Sequence, residues 1–228
     1  MRIGGLTAVL ALLAILEQPG DASAETRFVA DPEAGNNAFT AVFDSSIGER
    51  ITAVSSAIGC TLAVDETKLE GKASCSVPLT TIRVDNDETK SDHFGQWATN
   101  KTMEPAACTF EVEVPSVKLP ATMKEKAPTP FTADGKFTLC GRRRDDGRPE
   151  RVTGTVTYLP PGTYGEKRTL RIRAHIEQFD REKYGVSPKN TAGWLARVQQ
   201  LADVVATAGT IDVSIFATSA EPARTDAK

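Results

Sequence analysis

Histidine is nearly absent from this chain: His93 and His175 are the only two in 228 residues. No HExxH pair, GxSxG elbow or glycine-rich phosphate loop accompanies them, so the signatures of zinc peptidases, serine hydrolases and phosphate-loop enzymes are missing. Cysteine is sparse too, and its four residues show neither a CxxC nor a Cys/His spacing that would hold a metal. Charge of one sign is not in excess. The 27 Lys and Arg against 30 Asp and Glu leave a net −3, which argues against nucleic acid or an anionic membrane as the main partner. After the first 24 residues no apolar run approaches the length of a transmembrane helix. No internal repeat stands out.

What is present begins with a compartment signal. Met1 to Ala24 carries one early charge, Arg2, then an apolar run from Leu6 to Leu16, and ends in Ala22-Ser23-Ala24. That is the pattern of a secretory signal peptide cleaved before Glu25, with an apolar run too short to span a bilayer. A buried amino-terminal helix is the alternative, but Gly4, Gly5 and Pro19 bound it badly. Losing Arg2, Glu17 and Asp21 brings the chain closer to neutrality, and no cysteine follows the cleavage site to carry a lipid. The expected organisation is a signal over residues 1–24, one domain over 25–220, and a disordered tail over 221–228. The expected location is periplasmic or secreted.

In such a compartment four cysteines suggest disulfides. Cys60 and Cys75 flank Asp65-Glu66-Thr67-Lys68, a hairpin turn. Pairing residues whose numbers sum to 135 sets Cys60 against Cys75, Leu62 against Ala73 and Val64 against Gly71, all on one apolar or small-residue face. Cys108 and Cys140 also flank one connection, but their faces disagree by one residue. Cys108 shares a face with Phe110 and Val112, whereas Cys140 lies opposite Phe137 and Leu139. A bulge reconciles the two faces; two free thiols, or another pairing among the four, would serve equally.

Alternation dominates the rest. In Arg168–Val186 the residues Leu170, Ile172, Ala174 and Ile176 are apolar while Arg171, Arg173, His175 and Glu177 between them are polar. A period of two over that length is an antiparallel strand with one dry face; a charged turn, Phe179 to Val186, follows it. Similar strands are expected at Ala38–Phe43, Arg50–Ser56, Gly59–Asp65, Leu69–Val84, Cys108–Val117, Gly135–Gly141, Arg151–Leu159 and Thr210–Ala217. Pro78 belongs at an edge or bulge. Arg142 to Arg148 reads as a solvated hairpin tip. Two segments break the pattern. Asp85–Ala106 carries His93, Phe94 and Trp97 at helical spacing and reads as a short helix or ordered loop covering one end of the sheet as a lid, with an exposed mobile loop as the alternative. Asn190–Ala206 places Trp194, Val198, Leu201 and Val205 on one helical stripe, closed by Gly209.

Eight or nine short antiparallel strands in about 200 residues must close or pair to hide their edges. At this point several segments, in order, resemble the YceI-like family of polyisoprenoid-binding proteins. They are Val77-Pro78-Leu79-Thr80-Thr81-Ile82, Ser91-Asp92-His93-Phe94, Cys108-Thr109-Phe110, Phe137-Thr138-Leu139-Cys140-Gly141 and Phe179 to Val186. The last is similar to the family's R-x-x-[FY]-G and is the most specific. Cys140 stands where the family usually has histidine, and the cysteines, the prolines after Lys118 and the insertion from Thr191 to Ala208 depart from its pattern. The resemblance implies an all-β fold: a single up-and-down, lipocalin-like antiparallel barrel of about eight strands, with one lid and one helix before the last strand. It also implies a hydrophobic small molecule or lipid as partner, an isoprenoid or other long chain held inside.

The inward positions would then be Phe39, Phe43, Leu62, Val64, Phe110, Val112, Phe137, Leu139, Leu170, Ile172, Ile176, Val213 and Ile215. Mouth residues would be His93, Arg181, Lys183 and Tyr184, with Phe94, Trp97 and Trp194 as lids. No catalytic residue, cofactor or metal ligand is assigned. Two rivals stand beside this reading. One is a secreted interaction module whose core is filled and which uses a sheet edge or the Arg142–Arg148 tip. The other is a hydrolase-like enzyme using His93 beside Asp92, although no nucleophile stands at a recognisable offset; His175, on a wet face, reads as salt-linked or solvated. Monomer and homodimer are both left open.

Overall fold

A computed structural model describes residues 25–120, 123–163, 165, 167–187 and 205–220. The expected signal, the tail and the expected helix up to residue 204, Trp194 included, lie outside the described residues. The strands run β1 (Glu25–Ala30), β2 (Ala38–Asp44), β3 (Arg50–Ser55), β4 (Gly59–Asp65), β5 (Glu70–Pro78) and β6 (Arg83–Val84). The helix α1 (Glu88–Thr99) follows, then β7 (Thr109–Lys118), β8 (Pro128–Leu139), β9 (Arg142–Arg143), β10 (Glu150–Leu159), β11 (Thr169–Asp180) and β12 (Ala208–Ser219).

Every pairing between these strands is antiparallel. The order β1-β4-β5-β7-β8-β10-β11-β12 returns to its start, because Phe28 and Val29 of β1 pair with Ser219 and Thr218 of β12. That is a closed eight-stranded barrel, and closure leaves none of those eight strands as an open edge. The strands β2 and β3 fit into the same ring. β12 pairs β1 near its end and β2 from Thr210↔Val42 to Ser214↔Ala38. β3 pairs β2, and β4 pairs β1. The first two staves of an up-and-down barrel are therefore each broken in the middle. Asp31-Pro32 and Gly35, with φ +68°, turn the first break.

A buried amide holds that break together. Asn37 donates from Nδ2 to Asp31 O (2.9 Å) and Ile58 O (3.3 Å), and its Oδ1 accepts from Phe216 N–H on β12 (2.9 Å). One side chain thus substitutes for ladder bonds that the interrupted staves cannot make.

The strand β1 is absent from the expected set, which begins at Ala38. Its alternation is short, with Phe28 and Ala30 buried and Arg27 and Val29 outward. β8 begins at Pro128, earlier than the expected Gly135. Its ladder with β7 covers only Lys136–Leu139 against Phe110–Glu113, whereas its other side pairs β10 from Glu150↔Gly135 to Thr157↔Pro128. Pro128 and Pro130 lack an N–H and sit where β7 makes no demand for one.

Both disulfides are formed. Cys60 faces Cys75, Leu62 faces Ala73 and Val64 faces Gly71, the register whose numbers sum to 135. For the second bridge the one-residue disagreement is real, and no bulge resolves it. Phe110↔Leu139 continues to a bond from Cys140 N–H to Thr109 O (3.1 Å), and Cys140 then adopts φ +49°. This left-handed residue breaks the alternation at the strand end and lets Cys140 reach Cys108.

Two further expectations are corrected. The Arg142–Arg148 tip is not simply a solvated turn. Arg142 donates to Tyr184 O (2.8 Å), to Thr99 O (3.3 Å) and to Ala98 O, tying the last carbonyls of α1 to the barrel. Arg144 bonds both Asp146 (2.7 Å) and the buried Glu150 (2.6 Å). Gly209, expected to close a helix, lies inside β12. A Cβ there would stand 2.2 Å from Val42 O and 2.6 Å from the Phe43 ring, so glycine is required by the close approach of β2.

Candidate functional site: the barrel interior

Alternation along each stave sends one set of side chains inward, and those residues enclose a cavity of about 780 Å³. All thirteen expected interior residues line it. Phe43, Val64, Phe110, Phe137, Ile172 and Val213 point inward yet are only half-buried, because they face a void rather than one another. A filled core at ordinary packing density would have covered them.

At one end the cavity reaches the β2–β3 turn and α1. Ser45, Ile47 and Glu49 come from the turn, and Lys90, His93, Phe94 and Trp97 from the helix. Asp87 caps α1 by accepting from Lys90 N–H (3.0 Å), and Asn100 ends it with φ +51°. Phe94 meets Phe110 edge to face, with centroids 6.0 Å apart. Ile47 is 61% exposed at the tip of the turn. The segment expected to form a short helix or ordered loop over one end of the sheet is indeed a helix, and it contributes two aromatic walls.

At the opposite end the lining includes Glu66, Lys72, Leu119, Met123 and Arg168. Glu66 accepts from Arg168 Nη1 (3.0 Å) and from Thr26 Oγ1 (3.0 Å), joining β1, the β4–β5 turn and the start of β11 across the rim. Lys72 pairs with Glu25 at 3.0 Å. Polar groups gather at the two ends, while the middle is apolar.

The expected mouth residues divide. His93 lines the cavity; among the described residues no hydrogen bond joins it to a carboxylate or a nucleophile. His175 sits outside the barrel with its Nδ1 2.8 Å from Asp212 Oδ1. Arg181 lines the cavity but is 6% exposed, and it donates to Val186 O (2.8 Å), Val205 O (3.0 Å) and Ala206 O (3.2 Å). Burial lowers the pKa of its guanidinium from the ordinary value. Tyr184 is 1% exposed and does not line the cavity. It stacks on Phe179 (4.9 Å) and donates to Glu150 Oε1 at 2.9 Å. Lys183 lies outside the lining, 3.6 Å from Asp145.

Sequence reasoning passed over several lining residues. Phe28 lies on the strand that was not expected, Phe131 and Ala133 on the part of β8 hidden behind prolines, and Phe179 beyond the bulge that follows Ile176. Inward alternation was the available signal for Phe131 and Ala133 once β8 is extended to Pro128. Among the described residues no cluster of three or more His, Cys, Asp or Glu is placed to hold a metal. No helix among them is long and apolar enough to cross a membrane.

No family model matches the sequence, and no curated protein matches it. A solved structure does: a polyisoprenoid-binding domain from Saccharophagus degradans implicated in plant cell wall breakdown. The match has a TM-score of 0.55 at 11% identity and covers 85% of this chain and 98% of that one. At that identity the likeness is one of fold. The resemblance read from the scattered sequence motifs thus holds at the level of architecture: this chain is a lipocalin-like antiparallel barrel that shares its fold with that solved domain.

Proposed function

We propose that the protein is a non-catalytic carrier, secreted or periplasmic, that holds one long apolar chain in its barrel for transport or storage. The chain is an isoprenoid, an isoprenoid quinone or another lipid. The observation that carries this reading is the cavity of about 780 Å³ walled by aliphatic and aromatic side chains, with its charged groups at the ends. A hydrocarbon entering it leaves water, which contributes roughly 0.8 kcal/mol per buried methylene and so on the order of 3–4 kcal/mol gross per five-carbon unit. Ordering the guest offsets part of that gain. Methylenes discriminate weakly, so selectivity rests on tunnel length and on the polar groups at the ends. The solved neighbour's description as a polyisoprenoid-binding domain supports the same ligand class. Two disulfides and the amino-terminal signal pattern support an oxidising compartment.

The test is a lipid extract of protein purified from its native compartment. One prenyl or acyl species at a fixed ratio to protein is expected. An extract without any such species, from a barrel that also refuses added chains, overturns the proposal. Ester or phosphate turnover lost in His93→Ala would replace it with an enzyme.

A further inference from the structure

Arg181 presents a buried cation to a cavity whose other charged lining residues, Glu49 and Lys90 among them at the same end, are more exposed. It is 6% exposed, and the three carbonyls it bonds are neutral. Among the described residues its nearest carboxylate is Glu182, 3.9 Å away and itself substantially exposed. A buried charge without a close counter-ion is costly unless something else compensates it. A guanidinium has five N–H donors; among the described residues three are used, on Val186, Val205 and Ala206, which leaves two. Val186 and Val205 both line the cavity, so the guanidinium sits in its wall at the end near the β2–β3 turn. That placement is fixed by backbone: Ala206 N–H bonds Asp44 O at 2.9 Å, and Val205 bridges to Ser45. Ser45 lines the cavity at the same place. Of the carboxylates of that turn, Asp44 is paired with Arg50 at 3.1 Å and Glu49 stands at the open mouth, where it is exposed.

Resting on the carrier reading above, we propose that Arg181 receives the head of the bound chain and that this head is a carboxylate, so that the guest is a long-chain carboxylic acid. The acid's two oxygens match the two remaining donors of a planar guanidinium, and its charge compensates the cation in a low-dielectric wall. Ser45 stands beside the same head with a hydroxyl. The hydrocarbon then runs away from Arg181 along Phe43, Phe179 and Ile176 toward the opposite mouth.

Displacement of N-phenyl-1-naphthylamine, a neutral fluorophore, from delipidated full-length protein tests this with oleic acid, oleyl alcohol and oleylamine at pH 8. Oleic acid should displace at about ten-fold lower concentration than the alcohol, the scale of one charge-assisted hydrogen bond, and the amine should be weakest. Equal displacement by acid and alcohol overturns the head-group assignment while leaving the carrier intact. Failure of all three to bind overturns the carrier reading instead. Arg181→Gln should erase the acid's advantage over the alcohol; an advantage that persists in the folded variant assigns the head to another cation and overturns the role of Arg181. Arg181→Lys is the second variant, should loss of three carbonyl partners unfold the first. It keeps the charge without the planar fork, and the acid's advantage should shrink there; an undiminished advantage counts against the planar pairing.

Discussion

Tyr184 and Glu150, 34 residues apart, are locked together in the barrel wall: the phenol donates to Glu150 Oε1 at 2.9 Å, and Arg144 donates to the same oxygen at 2.6 Å. Glu150 is 4% exposed and Tyr184 1% exposed. Tyr184→Phe leaves Glu150 bonded to Arg144 and should cost about 1 kcal/mol. Glu150→Ala strands both donors and should cost about 3 kcal/mol. Urea unfolding measures both, and uptake of an apolar chain should be unchanged in the folded variants, because Tyr184 lies outside the cavity.

The same pair gives a pH prediction. Burial, then the bond to Glu150, raises the Tyr184 pKa above its ordinary 10.0. A raised folded-state pKa means that the folded protein holds a proton the unfolded chain has released. Its stabilisation is complete below pH 10 and declines as pH rises above 10. Urea midpoints should fall as pH rises from 10 to about 11, and fall less in Tyr184→Phe. Equal slopes for the two proteins would remove Tyr184 from the account.

Asn37 makes the second structural prediction. It joins β12 to the break in the first stave, through a residue 179 positions away. Asn37→Ala removes the buried amide that accepts from Phe216 N–H and donates to two carbonyls, and should cost about 2 kcal/mol. Hydrogen exchange at Phe216 should rise selectively, with the amides of β10 unaffected.

The disulfides are tested by non-reducing peptide mapping, which should recover Cys60 with Cys75 and Cys108 with Cys140. In the chain-entropy model, loops of 15 and 32 residues correspond to about 3 and about 4 kcal/mol. Paired Cys→Ser replacements should therefore weaken the barrel in that order.

Much of this architecture was legible because a barrel stave obeys one rule. The period of two in Leu170–Ile176, and the sum-to-135 register around Cys60 and Cys75, are local patterns that no distant contact needed to correct. What escaped was what distant contacts decide. β1 has only Phe28 and Ala30 as buried apolar positions and becomes a strand by closing the ring against β4 and β12. Pro128 and Pro130 argue against a strand until it is clear that β7 does not pair there. Tyr184 and Arg142 look like surface polar residues, and only the fold supplies the carboxylate and carbonyls that hold them inside. Whether thirteen inward side chains meet or stand apart depends on barrel girth, which alternation does not encode.

Ile172, on the cavity wall opposite Ile215 on β12, provides a direct perturbation. Ile172→Arg places a charge in the apolar tunnel and should abolish uptake of a fluorescent prenyl analogue in protein that retains native circular dichroism. Unchanged uptake would remove that strand from the binding site.

Native mass spectrometry of the purified barrel tests the central claim most directly. The account predicts one apolar chain per barrel, released on unfolding and restored when that lipid is added back. Protein that flies at its bare mass before and after exposure to prenyl and acyl chains would contradict it.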